Sequence, residues 1–346
     1  MTTLNTNGTG VLAGVTIVEV AAIGPVPWGL TLLARMGAQI TRIRRPPAPA
    51  DARKTAPHLF GDIGRDDVFL DLKSQADVEQ ALALISKADV LVEGMRPRVM
   101  ERLGLGPAVC LAANPGLVYA RVTGWGQDGP LAQRAGHDIN YISLSGALHA
   151  IGVKDQAPVI PLNLIGDYGG GGAFMALGIV AAVLSQRSTG KGQVIDVSML
   201  DGSANLMALA YERHALGLWE DKRGENILDG GAPWYSVYRT QDDKYMAVGA
   251  IEPQFYLELL AGLGLDAATV PDRTDRGNWD KLRAMFAQLF AKKTRQEWSA
   301  IFEEMDACVT PVLSMREAPL HPHNVARQTF VKDDTVIRPN VAPRFD

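Results

Sequence analysis

Short β-branched runs alternate with longer stretches of helical period through the first third of the chain. Residues 15–20 (VTIVEV) form an apolar run of strand length, residues 28–36 a helical segment stopped by Gly37, and residues 39–43 a second strand. This unit is about thirty residues long, as a β-α-β crossover requires. The alternation continues with a strand at 68–72, a helix at 75–87, a strand at 90–93, helices around 99–103 and 108–114, and a strand at 117–123. Such a pattern predicts a doubly wound, Rossmann-like α/β domain with its ligand at the carboxyl ends of the strands.

Past residue 184 the pattern changes. GKGQVIDVSM reads as a turn and a short strand, and residues 200–219 as one long helix, followed by the Gly- and Asp-rich link RGENILDGGAP. WYSVYRT and KYMAVGA read as a hairpin around QDD, with helices expected at 254–262 and 281–292. The stretch from Pro311 is rich in Pro and His, has little periodicity, and is expected to return over the first domain. The expected organisation is a large α/β domain over 1–196 completed by 318–346, a linker helix and loop over 197–227, and a small α+β domain over 228–317.

Composition narrows the class. The chain of 346 residues is 47% hydrophobic and 21% charged, enough to bury a sizeable core, and its net charge of −4 argues against nucleic acid or an anionic membrane as the main partner. Two cysteines with no CxxC spacing and no His cluster argue against a disulfide framework and against a metal site. The opening MTTLNTNGTG lacks a basic and an apolar region, and the apolar segments are broken by Gly, Pro and polar residues. The expectation is a cytoplasmic protein with no membrane span.

The candidate chemistry lies between Thr123 and Leu184. AGHDINY carries His137, PLNLIGDYGGGG carries Asp167, and a Gly run at 169–172 opens a long apolar segment. An imidazole and a carboxylate beside a helix start with free N–H groups suit proton transfer through an enolate. Asp167 is equally readable as an N-cap, and Glu252, before Pro253, as a cap or as the group that orients an imidazole. Asp138 and Asp201 read as structural, and Trp234 and Tyr235 as core or pocket wall.

The first strand-turn-helix shows Gly24-Pro25-Val26-Pro27-Trp28-Gly29 where a dinucleotide fold shows GxGxxG, and the prolines lack N–H donors, so a nicotinamide cofactor is disfavoured. Arg42, Arg44 and Arg45 nevertheless end the second strand, where a ribose carrying an extra phosphate would lie, as in NADP or coenzyme A; a solvated basic edge is the other reading. Lys73, Arg96 and Arg102 follow later strand ends. On residues alone this is an α/β enzyme handling a nucleotide-bearing anion.

AGHDINY, PLNLIGDYGGGG, KGQVID, LDGGAP and VGAIEPQF, with VLVEGMRP and ERLGLGP upstream, closely resemble the α-methylacyl-CoA racemases of the CaiB/BaiF, or family III CoA-transferase, superfamily. The resemblance runs from about Leu12 to Phe345, and the chain ends at Asp346 where relatives commonly continue. It implies deprotonation of an acyl-CoA next to the thioester and reprotonation on the opposite face. His137 and Asp167 are then the two bases, Glu252 orients His137, and the backbone N–H of Asp138 binds the enolate oxygen. The implied coenzyme A site comprises Arg45, Leu70, Asp71, Leu72, Lys73, Gly94, Met95, Arg96, Arg102, Gly136 and Tyr141. Coenzyme A is part of the substrate, and no separate cofactor or metal is expected. The resemblance also implies the CaiB/BaiF fold, with a homodimer of interlocked chains and a site between the large domain of one and the small domain of the other. Transferases of the same superfamily use the aspartate at the 167 position as a nucleophile, forming an acyl anhydride; His137 together with Glu252 favours the racemase.

Overall fold

The computed structural model describes residues 10–47, 63–333 and 336–345. Most of the polar opening segment, and residues 334, 335 and 346 of the expected return, lie outside these. The elements run β1 (Thr16–Val20), α1 (Pro25–Arg35), β2 (Gln39–Arg44), β3 (Arg65–Phe69), α2 (Gln75–Ile85), β4 (Val90–Glu93), α3 (Val99–Arg102), α4 (Pro107–Ala113), β5 (Val118–Thr123), α5 (Asp138–Leu144) and α6 (Ala147–Ala150). A π-helix (Leu164–Ala173) then leads directly into α7 (Phe174–Thr189), followed by β6 (Gln193–Ser198), α8 (Met199–Leu206) and α9 (Ala208–Ala215). The later elements are β7 (Tyr235–Arg239), β8 (Tyr245–Gly249), α10 (Pro253–Gly262), α11 (Trp279–Phe290), α12 (Arg295–Phe302), β9 (Val309–Pro311), α13 (Pro322–Ala326), β10 (Phe330–Asp333) and β11 (Val336–Pro339).

The chain divides into two compact units. The first takes its described residues from Met1–Ala147, Pro161–Leu209 and Asn340–Asp346. Its six-stranded sheet has the order β3-β2-β1-β4-β5-β6, and every pair within it is parallel. This is the doubly wound order, reversing between β1 and β4. The central strands β1, β4 and β5 are largely apolar and buried because both faces are covered. Ile17, Val90, Val92, Val118 and Ala120 pack against Leu30 and Leu33 of α1 and Met175 and Ile179 of α7. The alternating residues Val18, Leu91 and Tyr119 pack with Ile85, Met100 and Leu105 on the other face. The π-helix and α7 form one continuous helix over Leu164–Thr189, long and apolar enough to cross a membrane by length and composition. Four of its residues, Met175, Ile179, Ala182 and Val183, belong to the sheet core.

The second unit comprises Leu148–Ile160 and Ala210–Pro339. Here β7, β8 and β9 make an antiparallel sheet, and Trp234, Tyr238, Met246 and Val248 pack with Phe286, Phe290, Trp298 and Phe302 of the helices.

Several boundaries differ from expectation. Helix α1 begins at Pro25 because both of its prolines sit in the first turn, where a missing N–H costs nothing. The third strand ends at Phe69 instead of Leu72, since the chain turns after Leu70 and the Ser74 N–H donates to the Asp71 carbonyl at 2.7 Å. The expected long helix at 200–219 is broken at Met207 into α8 and α9. Helix α12 and strand β9 were not foreseen. The described residues of 318–339, expected to rejoin the first unit, group with the second, where β10 and β11 pair with each other; of the described return only 340–345 groups with the first.

Candidate active site

All six parallel strands point their carboxyl ends to one edge of the sheet, and the candidate residues of the first unit emerge there. The turns after β1 and β4 abut: a Cβ on Gly94 would lie 2.9 Å from the Cβ of Ala22. Gly24, with φ 69°, takes the chain from β1 into α1. A Cβ built on it would stand 3.4 Å from Oδ2 of Asp167. The carboxylate therefore sits over the first turn of α1.

The Gly run that precedes α7 is not a helix start. It lies inside the π-helix, whose N-cap is Asn163, so neither the expected row of free N–H groups nor the capping role of Asp167 holds. The glycines are there for contact. A Cβ on Gly170 would meet the Ser203 nitrogen at 2.7 Å, and one on Gly172 would meet the Trp28 ring at 2.5 Å. Close packing between α1 and α8 fixes the π-helix, and with it Asp167. Insertions of this kind are frequent at functional sites.

Two further groups hold Asp167. Its N–H donates to Oδ2 of Asp138 at 2.7 Å, and Nδ2 of Asn163 donates to its Oδ2 at 3.1 Å. Asn163, one helical turn earlier, was not foreseen as a site residue; its spacing of four from Asp167 was the available signal. Burial pushes the Asp167 carboxyl above its ordinary value and the Asp138 charge adds to this, opposed by the Asn163 hydrogen bond and by His137.

His137 precedes α5 in an extended conformation and is exposed, and its N–H donates to Oδ1 of Asn140 at 3.0 Å. Asp138, the first residue of α5, has a buried side chain, while its own N–H lacks an intrahelical acceptor. A structural side chain, holding the Asp167 N–H, and a backbone donor are thus compatible with one residue. Tyr141 packs edge-on against Trp125, with ring centroids 4.8 Å apart. Its ring fills the space left by Gly124 and Gly136, where added Cβ atoms would come within 2.2 and 2.8 Å of it. Its hydroxyl donates to the Gly136 carbonyl, and burial, with Asp167 and Asp138, pushes its pKa up to about 12.

Of the three arginines ending β2, two are already engaged. Arg42 Nε pairs with Asp67 on the neighbouring strand at 2.7 Å, and Arg44 pairs with the same carboxylate at 2.8 Å. Arg45 is exposed. Lys73, Gly94, Arg96 and Arg102 are exposed on the same edge. Leu70 is buried in the core, leaving its backbone alone to meet a ligand, and Leu72 packs against that core. Asp71 organises its turn: its N–H donates to Asp77 and its carboxylate accepts from the Lys73 N–H. Met95 donates its N–H to Glu93.

Glu252 belongs to the second unit and precedes α10 without a side-chain cap, leaving its carboxylate exposed. The loop that carries it is anchored by Arg273, unforeseen, which stacks on Tyr256 at 4.3 Å and donates to the Ala250 carbonyl at 3.1 Å.

The sequence matches CoA-transferase family III over residues 12–345. It is 45% identical to the α-methylacyl-CoA racemase of Mus musculus over 334 residues, covering 96% of this chain and 86% of the relative. Identity to the α-methylacyl-CoA racemase of Homo sapiens is 43%, with the same coverages. The crystal structure of a CaiB/BaiF family protein from Brucella suis superposes with a TM-score of 0.81 at 23% identity, covering 97% of this chain and 93% of that one. That likeness bears out the expected fold.

Proposed function

The chain belongs to CoA-transferase family III, and from that membership we propose that it is a racemase interconverting the (R) and (S) epimers of 2-methylacyl-CoA thioesters. Similarity to the two mammalian racemases over nearly the whole chain supports this reading. The observation that carries the mechanism is the fixation of Asp167 by Asp138 and Asn163, half-buried and in electrostatic reach of an exposed His137.

One base takes the proton from the carbon next to the thioester, and the bonding pair moves onto the carbonyl to give an enolate. The N–H of Asp138 donates to the oxygen where that charge develops. The other base, already protonated, delivers a proton to the opposite face and the configuration inverts. Burial suits Asp167 to this exchange, because a raised carboxyl pKa is a better match to a weakly acidic carbon. Arg45, Lys73, Arg96 and Arg102 supply positive charge for the phosphates of coenzyme A, which travels as part of the substrate. The working assembly is a homodimer in which Glu252 of one chain orients His137 of the other; full activity in a dilute monomer would contradict this.

The test is a single epimer of a 2-methylacyl-CoA in deuterated water with no acceptor acid. Scrambled configuration and deuterium at the α-carbon support the racemase. An acyl group on Asp167 trapped by hydroxylamine, with no α-exchange, would make this a transferase.

A further inference from the structure

The carboxyl ends of β4 and β5 are tied by a buried ionic bridge that proton transfer does not use. Glu93, the last residue of β4, is fully buried. Its Oε1 accepts from Arg121 Nε at 3.0 Å, and its Oε2 accepts from the Met95 N–H at 2.7 Å. Arg121, itself buried on β5, turns its two terminal nitrogens onto the Glu101 carboxylate of α3 at 2.9 and 3.2 Å. Such a fork fixes direction as well as distance. Tyr119, two residues earlier and on the same face of β5, donates to the Leu105 carbonyl at 2.8 Å. The segment after β4 is therefore pinned at Met95, Glu101 and Leu105, while Gly94, Arg96 and Arg102 on it are exposed.

A gain in stability is a weak reason for this bridge. A buried carboxylate–guanidinium pair is costly to desolvate, and an apolar replacement of equal volume is often neutral or stabilising. What the pair supplies is a fixed geometry, and the residues whose geometry it fixes are cations at a ligand-binding edge.

We propose that Glu93, Arg121 and Glu101 are positioning residues for the coenzyme A moiety: the bridge sets the segment 94–102 so that Arg96 and Arg102 meet the anionic nucleotide end, and none of the three touches it. This rests on the reading that the sheet edge receives an acyl-CoA.

The test uses the purified full chain, with free coenzyme A as the calorimetric probe and an acyl-CoA for steady-state kinetics. Arg121→Lys keeps the charge and loses the fork, and is expected to weaken coenzyme A binding and raise KM about tenfold, with kcat within about twofold. Glu101→Gln, at the partly exposed end of the bridge, keeps the fold accessible if Arg121→Lys does not fold. Its sign is diagnostic. Removing a bystander negative charge near an anionic ligand would tighten binding, whereas loosening the bridge weakens it. Weakened coenzyme A binding and raised KM in Glu101→Gln support the proposal; unchanged or tighter binding overturns it. Arg96→Ala is the control for the underlying reading. If it weakens coenzyme A binding while Glu101→Gln does not, the bridge proposal falls alone. If neither does, the coenzyme A edge falls and the proposal with it.

Discussion

The N–H of Asp167 donates to Oδ2 of Asp138, a residue 29 positions earlier, at 2.7 Å. The residue following one candidate base thus holds the backbone of the other. Helix α5 and the π-helix cannot shift independently without breaking that bond, so the two bases keep a fixed relation. Asp138→Ala leaves the Asp167 N–H without its acceptor. The expected cost is about 1–3 kcal/mol in stability, read from denaturant midpoints, together with reduced kcat. Asp138→Asn, which still offers an oxygen, should recover most of both. Equal damage from Ala and Asn would count against the clamp.

The glycines around the site are expected to resist even one added methyl. A Cβ on Gly166 would fall 2.6 Å from Oδ2 of Asp138, and one on Gly124 would fall 2.2 Å from the Tyr141 ring. Gly124→Ala and Gly166→Ala should each lower stability by about 1–3 kcal/mol through overpacking. Thermal melts check this, and an unchanged midpoint in either variant would show that the packing is looser than described.

The pKa of Asp167 links activity to stability. Burial, its leading cause, raises the folded-state value above that of the unfolded chain. Proton binding therefore favours folding: the contribution is present at low pH and is lost as the pH rises through the folded value, leaving a carboxylate that costs stability at neutrality. Asp167→Asn should be at least as stable as the parent at neutral pH, with its relative advantage shrinking on acidification, while interconversion falls by at least ~10²-fold. A variant less stable than the parent at neutral pH would contradict this.

The arginines at the end of β2 separate by role. Arg45→Ala should raise KM for acyl-CoA about tenfold with kcat little changed, as loss of a charge-assisted contact to phosphate predicts. Arg42→Ala should instead destabilise the fold, because it leaves Asp67 short of its closest partner. Calorimetry with free coenzyme A beside thermal melts distinguishes the two. The same result in both variants would refute the division.

The roles of these arginines show where the sequence was readable and where it was not. Arg42, Arg44 and Arg45 look alike along the chain; Asp67, which engages two of them, arrives on a neighbouring strand. Strands β1, β4 and β5 were legible because sheet packing on both faces demands largely apolar runs. Strand β3, at the sheet edge, carries polar residues and was misplaced by three positions. The π-helix was illegible because four consecutive glycines read as the opening of a helix that follows them, not as part of a helix. Only the approach of α1 and α8 explains them. His137 and Asp167 could be named from their strings, but the bonds that fix Asp167 are made by side chains whose positions depend on the fold.

The most direct test of a two-base site follows α-hydrogen exchange in deuterated water, starting separately from each epimer of a 2-methylacyl-CoA, with His137→Ala and Asp167→Ala. Each variant should lose epimer interconversion by at least ~10²-fold. Each should retain washout from one epimer only, and the surviving epimer should be opposite in the two variants, because each keeps the base for one face. Equal loss of exchange from both epimers in a folded variant would contradict the assignment of His137 and Asp167 to opposite faces.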